Sequence, residues 1–589
     1  MKKIGAIITS LILLLGFNSC DNVLEIEDLE NYNADQLWSD AKQAEAYITN
    51  LYSAFGNWDT RADLNSQQLA GIYWYDNRVN STNNNEKAWD YERIRLINEA
   101  LDELDKGELE EDVRNNIKGQ ALFLRAYVYF NMVKYHGGVP YIKVPQDRHM
   151  DDLYVSRNSS EECFEFMVQD LDEAISYLPE SISKNSDDYG KIDASFAKAF
   201  KAKVLLYKAS PQFNPGNPYG NQFWQEAYTA AKTAYDDLKA SGYDLVDDYS
   251  DIALDEGNDE TIFAVINMDP DKNAAWDRHV RPGSQSRSPA NAVPTWEFVK
   301  EFPMKDGKLY NDPTGAYYKT DEEFLQGFWE NRDPRFNKSI VWNGKVYELG
   351  GQVGRRQYTA LGIADELDDF GINPNASVNS TNLDRYTGFF ILKNSLVNLT
   401  QAEVLQYDVD FVVMRFAEVM FNYAEAANET GKTDVALEIL KTIRERAGIE
   451  AGSDNNYGIA AVSREDVREA ILAEKNIEFC FEGHRFWDLR RHRLLYRLHN
   501  TTKHGVEAIA INVDGSEMAM GEAITKAGMY ELTEVNFKYS LLQVPRSGVK
   551  VSTLPDELYF FPIKQSSIDK NNNLEQNADW GGSFDPTIN

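Results

Sequence analysis

The sequence predicts a mostly α protein in which pairs of helices form a platform beneath an irregular, loop-rich half. Three patterns carry this. Residues 113–135 place Ile117, Ala121, Leu124, Val128 and Met132 at spacings of three and four, the period of one helix face. Alanine-rich helices come in pairs: Ala197, Ala199 and Ala202 in 194–207 face Ala227, Ala230, Ala231 and Ala234 in 223–238, and 412–447 repeats the arrangement around Gly431 and Lys432. Small side chains let neighbouring helices approach closely. Between these pairs, 247–410 loses helical period and fills with Gly, Pro, Asn and Asp among scattered aromatics. Long irregular stretches in compact proteins usually carry function.

In chain order, Lys2 and Lys3 precede an apolar run over 5–17, closed by Asn18, Ser19 and Cys20. The run is too short to span a bilayer comfortably and reads as a secretory signal, residues 1–19, cut before Cys20. Cys20 then carries the lipid, and the acidic stretch 20–32 is a tether; each buried acyl methylene contributes roughly 0.8 kcal/mol to anchoring. Helix is expected over 41–55, loop over 72–86, and helix again over 89–104 and 113–135, the last stopping at Gly137 and Gly138. Helices 161–178, 194–207 and 223–238 follow. They resemble degenerate helix-turn-helix repeats of the tetratricopeptide type, without a strict period. Residues 33–246 thus form an N-terminal helical region and 247–410 the loop-rich region, with a strand over 261–266. The C-terminal region, 411–589, holds a long helix over 464–492, a loop-rich insertion over 500–550 and an extended segment over 557–563. Residues 33–589 are expected to make one compact body.

Composition narrows the function. A net charge of −34 argues against nucleic acid and anionic lipid surfaces as partners. A mean hydropathy of −0.51 excludes a transmembrane bundle. Of three cysteines, Cys163 and Cys480 lie in apolar helical patterns and read as buried free thiols. Aromatics reach 12%, and the Tyr and Trp outside helical stripes suit a surface that stacks on sugars or peptides. There is no nucleophile elbow, zinc-protease helix, phosphate loop or Cys–His pairing, so no catalytic residue, metal or cofactor is expected. His484 and His492 are spaced poorly for a metal. Asp269, Asp271 and Asn273 begin like a calcium loop, but Val280 stands where its glutamate belongs. Gly350, Gly351 and Gly354 read as a turn. Glu478, Glu482, Arg485 and Asp488 are placed for turn-to-turn ion pairs along one helix, with Phe479, Phe486 and Leu489 buried on another face.

Five segments resemble, in family order, the SusD/RagB outer-membrane nutrient-uptake lipoproteins: 121–140, 331–336, 414–426, 473–491 and 558–577. The resemblance implies four tetratricopeptide-like helix pairs and an irregular ligand-facing half. It implies a non-enzymatic lipoprotein, anchored at Cys20 to the outer membrane and exposed at the cell surface. Such a protein captures an oligosaccharide or polysaccharide and delivers it to a TonB-dependent barrel transporter of the SusC/RagA type. A peptide ligand is the alternative within the family, and a surface glycoside hydrolase a weaker one.

No family motif names the ligand residues, so residue chemistry selects them. Trp74, Tyr75, Asp76, Asn77 and Arg78, with Trp89, combine stacking rings with side chains that bridge vicinal hydroxyls. A second group is Trp276, Asp277, Arg278 and Arg281, with Gln285 and Arg287, ahead of Trp296.

Overall fold

The computed structural model describes residues 37–64, 66–70, 79–82, 88–147, 149, 152–272, 274, 276–282, 285, 292–359, 387–518, 536–544 and 555–588. Cys20, the signal and the tether lie outside them.

Six helices build the N-terminal platform: α1 (Ala41–Leu51), α2 (Tyr91–Glu103), α3 (Glu111–His136), α4 (Ser160–Tyr177), α5 (Ala194–Ala209) and α6 (Phe223–Ala240). Their starts are set by side chains that accept the first free backbone N–H groups: Asp40, Asp90, Ser159 and Asp193. Helix α3 begins on Glu111 and Asp112 and carries Lys134 in its last turn, charges that complement its dipole. It stops at Gly137, where φ is 78° and a Cβ would meet the Pro586 Cβ at 2.4 Å, so glycine is the residue that fits. Its expected face of Ile117, Ala121, Leu124, Val128 and Met132 is buried, but so are residues on its other sides. Helix α3 packs against α1, α2 and α4 together, and α4–α5 and α5–α6 continue the stack. The alanines do what their size suggests: Ala197, Ala199, Ala202, Ala227, Ala231 and Ala234 are all buried where α5 meets its neighbours.

The C-terminal region completes this slab. Strand β1 (Thr261–Val265) pairs antiparallel with β2 (Phe411–Arg415), which feeds directly into α7 (Phe416–Glu429). The residues just before Phe416 are therefore strand, where helix was expected from 412. Gly431, at φ 80°, turns the chain into α8 (Thr433–Arg446). Helix α7 is buried along its whole length, against α6, α5, α8 and α9 (Arg464–Glu478). The tail closes the platform: Leu558, Tyr559, Phe560 and Phe561 are buried, the Phe561 N–H donates to the Tyr135 carbonyl at 2.7 Å, and the Ile588 N–H to that of Phe213 at 2.7 Å.

Two expectations are corrected. The long helix 464–492 is two helices, α9 and α10 (His484–Arg491), separated by Phe481 at φ 62° and Gly483 at φ 80°. Asp488 pairs within the segment, with Lys475 and Arg491, but Glu478 and Glu482 do not pair along one face. Glu478 meets Arg335, Arg415 and Arg446, and Glu482 meets Lys393 and Arg415. Phe479, Phe486 and Leu489 are buried as expected. The insertion after residue 500 is not all loop: β3 (Lys503–Ile511) and β4 (Asn536–Val544) pair antiparallel over nine residues each, with Val506, Ala508 and Ala510 turned inward.

The irregular region has its own core. Trp296, Phe298, Phe302, Phe324, Phe328 and Phe336 interlock, and Tyr310 stacks on Phe324 at 3.8 Å. Buried Arg332 donates to the carbonyls of Val299, Phe302 and Phe328, which short helices leave unpaired. Gly350, Gly351 and Gly354, all at positive φ, turn Lys345–Val346 back onto Arg356–Gln357. Cys163 and Cys480 are buried free thiols, and burial pushes Cys163 up to about 12. Among the described residues, no helix is long and apolar enough to cross a membrane.

Candidate functional site

Stems from four parts of the chain meet on one small apolar base. Ala70, Val293, Val341, Tyr347, Phe390 and Val544 form a single buried cluster. Its members are far apart in the sequence and are brought together only by the fold. Backbone pairing fixes two of the stems to each other: the Ala70 N–H donates to the Val293 carbonyl at 2.8 Å, and the Thr295 N–H to that of Gln68 at 3.0 Å. Gln68 Nε2 donates to Asn476 Oδ1 at 2.9 Å, tying both stems to α9. From β3, Lys503 Nζ donates to the Leu69 carbonyl at 2.6 Å, and burial pushes that amine down to about 7. The Val506 N–H donates to the Thr387 carbonyl at 2.8 Å. Strand β3 thus holds the stems at Leu69 and at Thr387 together.

Beneath this base runs a buried polar chain. Arg281 donates to Asp277 Oδ2 at 2.8 Å and to Gln285 Oε1 at 3.1 Å. Gln285 Nε2 donates to Gln357 Oε1 at 3.2 Å, and Arg355 Nη1 donates to the same oxygen at 3.0 Å. Every one of these side chains is buried.

This geometry corrects five of the residues nominated as ligand contacts by burying them, Gln285 of the polar chain among them. Asp277 and Arg281 are fully buried and neutralise each other at a helical spacing of four, so neither faces solvent. Trp276 is 2% exposed, its ring 5.1 Å from Trp58 and its indole N–H donating to the Lys393 carbonyl at 3.2 Å. Trp296 is 4% exposed among Phe324, Phe328 and Phe389. Both indoles fill the core of the irregular half and offer no stacking face. Trp89 is half-buried, edge-on to Tyr91 at 5.1 Å and to His136 at 5.5 Å; it belongs to the platform and not to the stem cluster. Arg278 is exposed. Trp74, Tyr75, Asp76, Asn77, Arg78 and Arg287 lie outside the described residues.

A sequence profile of the SusD family matches residues 259–580, more than half of the chain. The chain belongs to the SusD family. A second profile, for starch-binding proteins associating with the outer membrane, matches residues 21–206. SusD-like protein P38 of Formosa agariphila is 25% identical over 523 residues, covering 83% of this chain and 92% of that protein. A solved SusD-like protein of Bacteroides fragilis superposes with a TM-score of 0.69 at 24% identity, covering 92% of this chain and 98% of that one. A laminarin-binding SusD-like protein superposes with a TM-score of 0.55 at 20% identity, covering 91% of this chain and 98% of its own. The SusD-like fold expected from the sequence is the fold observed.

Sequence reasoning missed the residues that hold this SusD-family stem cluster together, Tyr347, Arg355, Gln357 and Lys503. Only Gly505 carried a signal, as a glycine interrupting a strand pattern. A Cβ there would stand 2.4 Å from the Thr387 Cα. Gly505→Ala is expected to push that stem off β3, destabilising the fold by about 1–3 kcal/mol. A lowered midpoint in urea denaturation checks it.

Proposed function

We propose that this SusD-family chain is a non-catalytic cell-surface lipoprotein. It captures an oligosaccharide on the face that its loop stems support and delivers it to a TonB-dependent transporter of the SusC type. The reading is supported by membership of the SusD family and by the gathering of residues from distant parts of the sequence onto one buried apolar cluster. Trp74, Tyr75, Asp76, Asn77 and Arg78 follow directly on the Ala70 stem, and exposed Arg278 precedes the Val293 stem. Rings supply sugar-stacking faces, and the acidic, amide and guanidinium groups supply paired hydrogen bonds to vicinal hydroxyls. Support for a glycan comes from the family, one of whose solved members is named for binding laminarin. Anchoring is through Cys20.

Affinity gel electrophoresis against laminarin and a set of other soluble glycans tests capture. Retardation by at least one glycan is expected, with a tenfold or greater loss in Trp74→Ala/Tyr75→Ala and no release of reducing sugar on prolonged incubation. Turnover, or retention unchanged in that variant, would overturn the reading. Labelled palmitate is expected to enter the wild-type protein and not Cys20→Ala.

A further inference from the structure

A cavity of about 680 Å³ opens within the helical body, lined from α3, α5, α7 and α10, the start of β2 and the turn at Trp58. None of the stem-cluster residues lines it. Its volume falls in the range of small-molecule sites, about 300–1,000 Å³. Its lining mixes nine aromatic side chains with five carboxylates and five cationic groups, so the formal charges cancel. Burial pushes His484, also in the lining, down to about 4, so it adds no charge near neutrality.

The polar groups are arranged as ion pairs. Lys203 Nζ stands 2.7 Å from Glu418 Oε1, and Lys475 Nζ 2.7 Å from Asp488 Oδ1. Asp488 Oδ1 also accepts from Arg491 Nη2 at 3.0 Å. An ammonium has three donors and a carboxylate about four acceptor positions, so a pair such as Lys203–Glu418 keeps capacity of both kinds side by side. Two adjacent hydroxyls match that: one donates to the carboxylate while the other accepts from the ammonium. Half-buried Trp58 and Trp487 supply apolar wall, Trp58 packed against Trp276 at 5.1 Å and Trp487 edge-on to Tyr135 at 4.8 Å. A charged ligand gains nothing from a neutral lining, and a purely apolar one strands the ion pairs without water.

We propose that this cavity binds a neutral sugar of one or two residues, at a site separate from the loop-bearing face. It goes beyond the reading above and does not depend on it.

The test uses glucose, galactose, mannose, maltose, cellobiose and laminaribiose as probes, read by saturation-transfer NMR and amide hydrogen exchange on the full chain. At least one is expected to bind, with exchange slowed in peptides covering Phe416–Glu429 and His484–Arg491. Lys203→Met/Glu418→Gln removes both charges together and is expected to weaken that binding at least tenfold. Asn131→Trp, on a half-buried lining position of α3, is expected to obstruct the cavity without touching either ion pair, and serves if the first variant misfolds. Laminarin retention should be unchanged in both, whereas Trp74→Ala/Tyr75→Ala should lose retention and keep the small sugar. Silence from all six probes, protection confined to the stems, or full binding in both cavity variants would overturn the proposal.

Discussion

Glu478→Gln is expected to destabilise the protein by about 3–5 kcal/mol, the loss typical of breaking a buried ion pair from one side. Glu478 is fully buried and receives three guanidinium groups. Arg335 Nη1 lies at 3.0 Å, Arg415 Nη1 at 2.8 Å, and Arg446 Nη2 closes the set. The network extends on both sides. Arg335 also meets Asp333 and Glu474, Glu474 meets Arg444, Arg415 meets Glu260 and Glu482, Glu482 meets Lys393, and Arg446 returns to Glu260. Five cations thus face five carboxylates. Burial opposes ionisation of Glu482, but Arg415 and Lys393 outweigh it and pull that carboxyl down to about 2. Arg446, Arg415 and Arg335 likewise overcome burial at Glu478 and hold it far below the ordinary carboxylate range. Glutamine keeps the shape of Glu478 and removes one negative charge, leaving a net buried cation. Glu478→Gln/Arg446→Met restores the balance and is expected to recover part of the loss. Denaturant midpoints of wild type, both single variants and the pair measure this as a double-mutant cycle. A single-variant loss below about 1 kcal/mol would contradict it.

That network also explains what could and could not be read from the sequence. The platform was readable because its information is local: apolar residues at three and four in α3, alanines where α5 and α6 meet, Gly137 and Gly431 at ends and turns. The division of 464–492 into two helices was not, although Gly483 stood in plain view. Glu478, Glu482, Arg485 and Asp488 repeat at helical spacing, so they imitate a solvated stripe, and nothing local reveals that Glu478 is matched by Arg335 and Arg415 from far along the chain. Strands β3 and β4 were missed for a related reason. The alternation of Val506, Ala508 and Ala510 is present, but the partner strand begins at Asn536, too distant for a turn signature to announce the pairing.

The candidate site divided along the same line. Residue chemistry nominated two segments that lie in sequence beside Ala70 and Val293, whose backbone pairing no local pattern encodes. It then misread the inward half of the second segment. Asp277 and Arg281 are four apart in a short helix, a spacing that favours an internal ion pair over a ligand clamp, and Trp276 and Trp296 are large apolar rings flanking short helical turns, where core needs them. Trp58, which packs on Trp276 and lines the helical-body cavity, was not nominated at all, because Gly56, Asn57 and Trp58 look like an ordinary turn after a helix.

Asp63→Asn is expected to stabilise the protein progressively as pH rises, with the gain over wild type reaching on the order of 5 kcal/mol by pH 8. Asp63 is fully buried; its Oδ1 accepts the Gly483 N–H at 3.0 Å, and its Oδ2 has no hydrogen-bond partner among the described residues. Burial pushes its carboxyl up from 3.8 to about 8, with Glu482 and Asp59 adding to the rise while the Gly483 N–H and Lys393 act against it. The folded protein therefore keeps a proton that the unfolded chain releases near pH 4. Its binding favours the native state at low pH, and that advantage is lost as pH climbs towards about 8, by at most about 1.4 kcal/mol per unit. Asparagine has no proton to lose and can still accept from Gly483, so the difference between variant and wild type isolates this one group from every other titration. Urea midpoints at unit intervals from pH 4 to 9 should give a difference near zero at the acid end, a rise through neutrality and a plateau above pH 8. A difference independent of pH would show that Asp63 stays ionised in the fold. The N–H that Asp63 holds belongs to Gly483, where the chain turns from α9 into α10. Asp63 thus contacts the break between the helix carrying Glu478 and the one carrying His484, which lines the cavity.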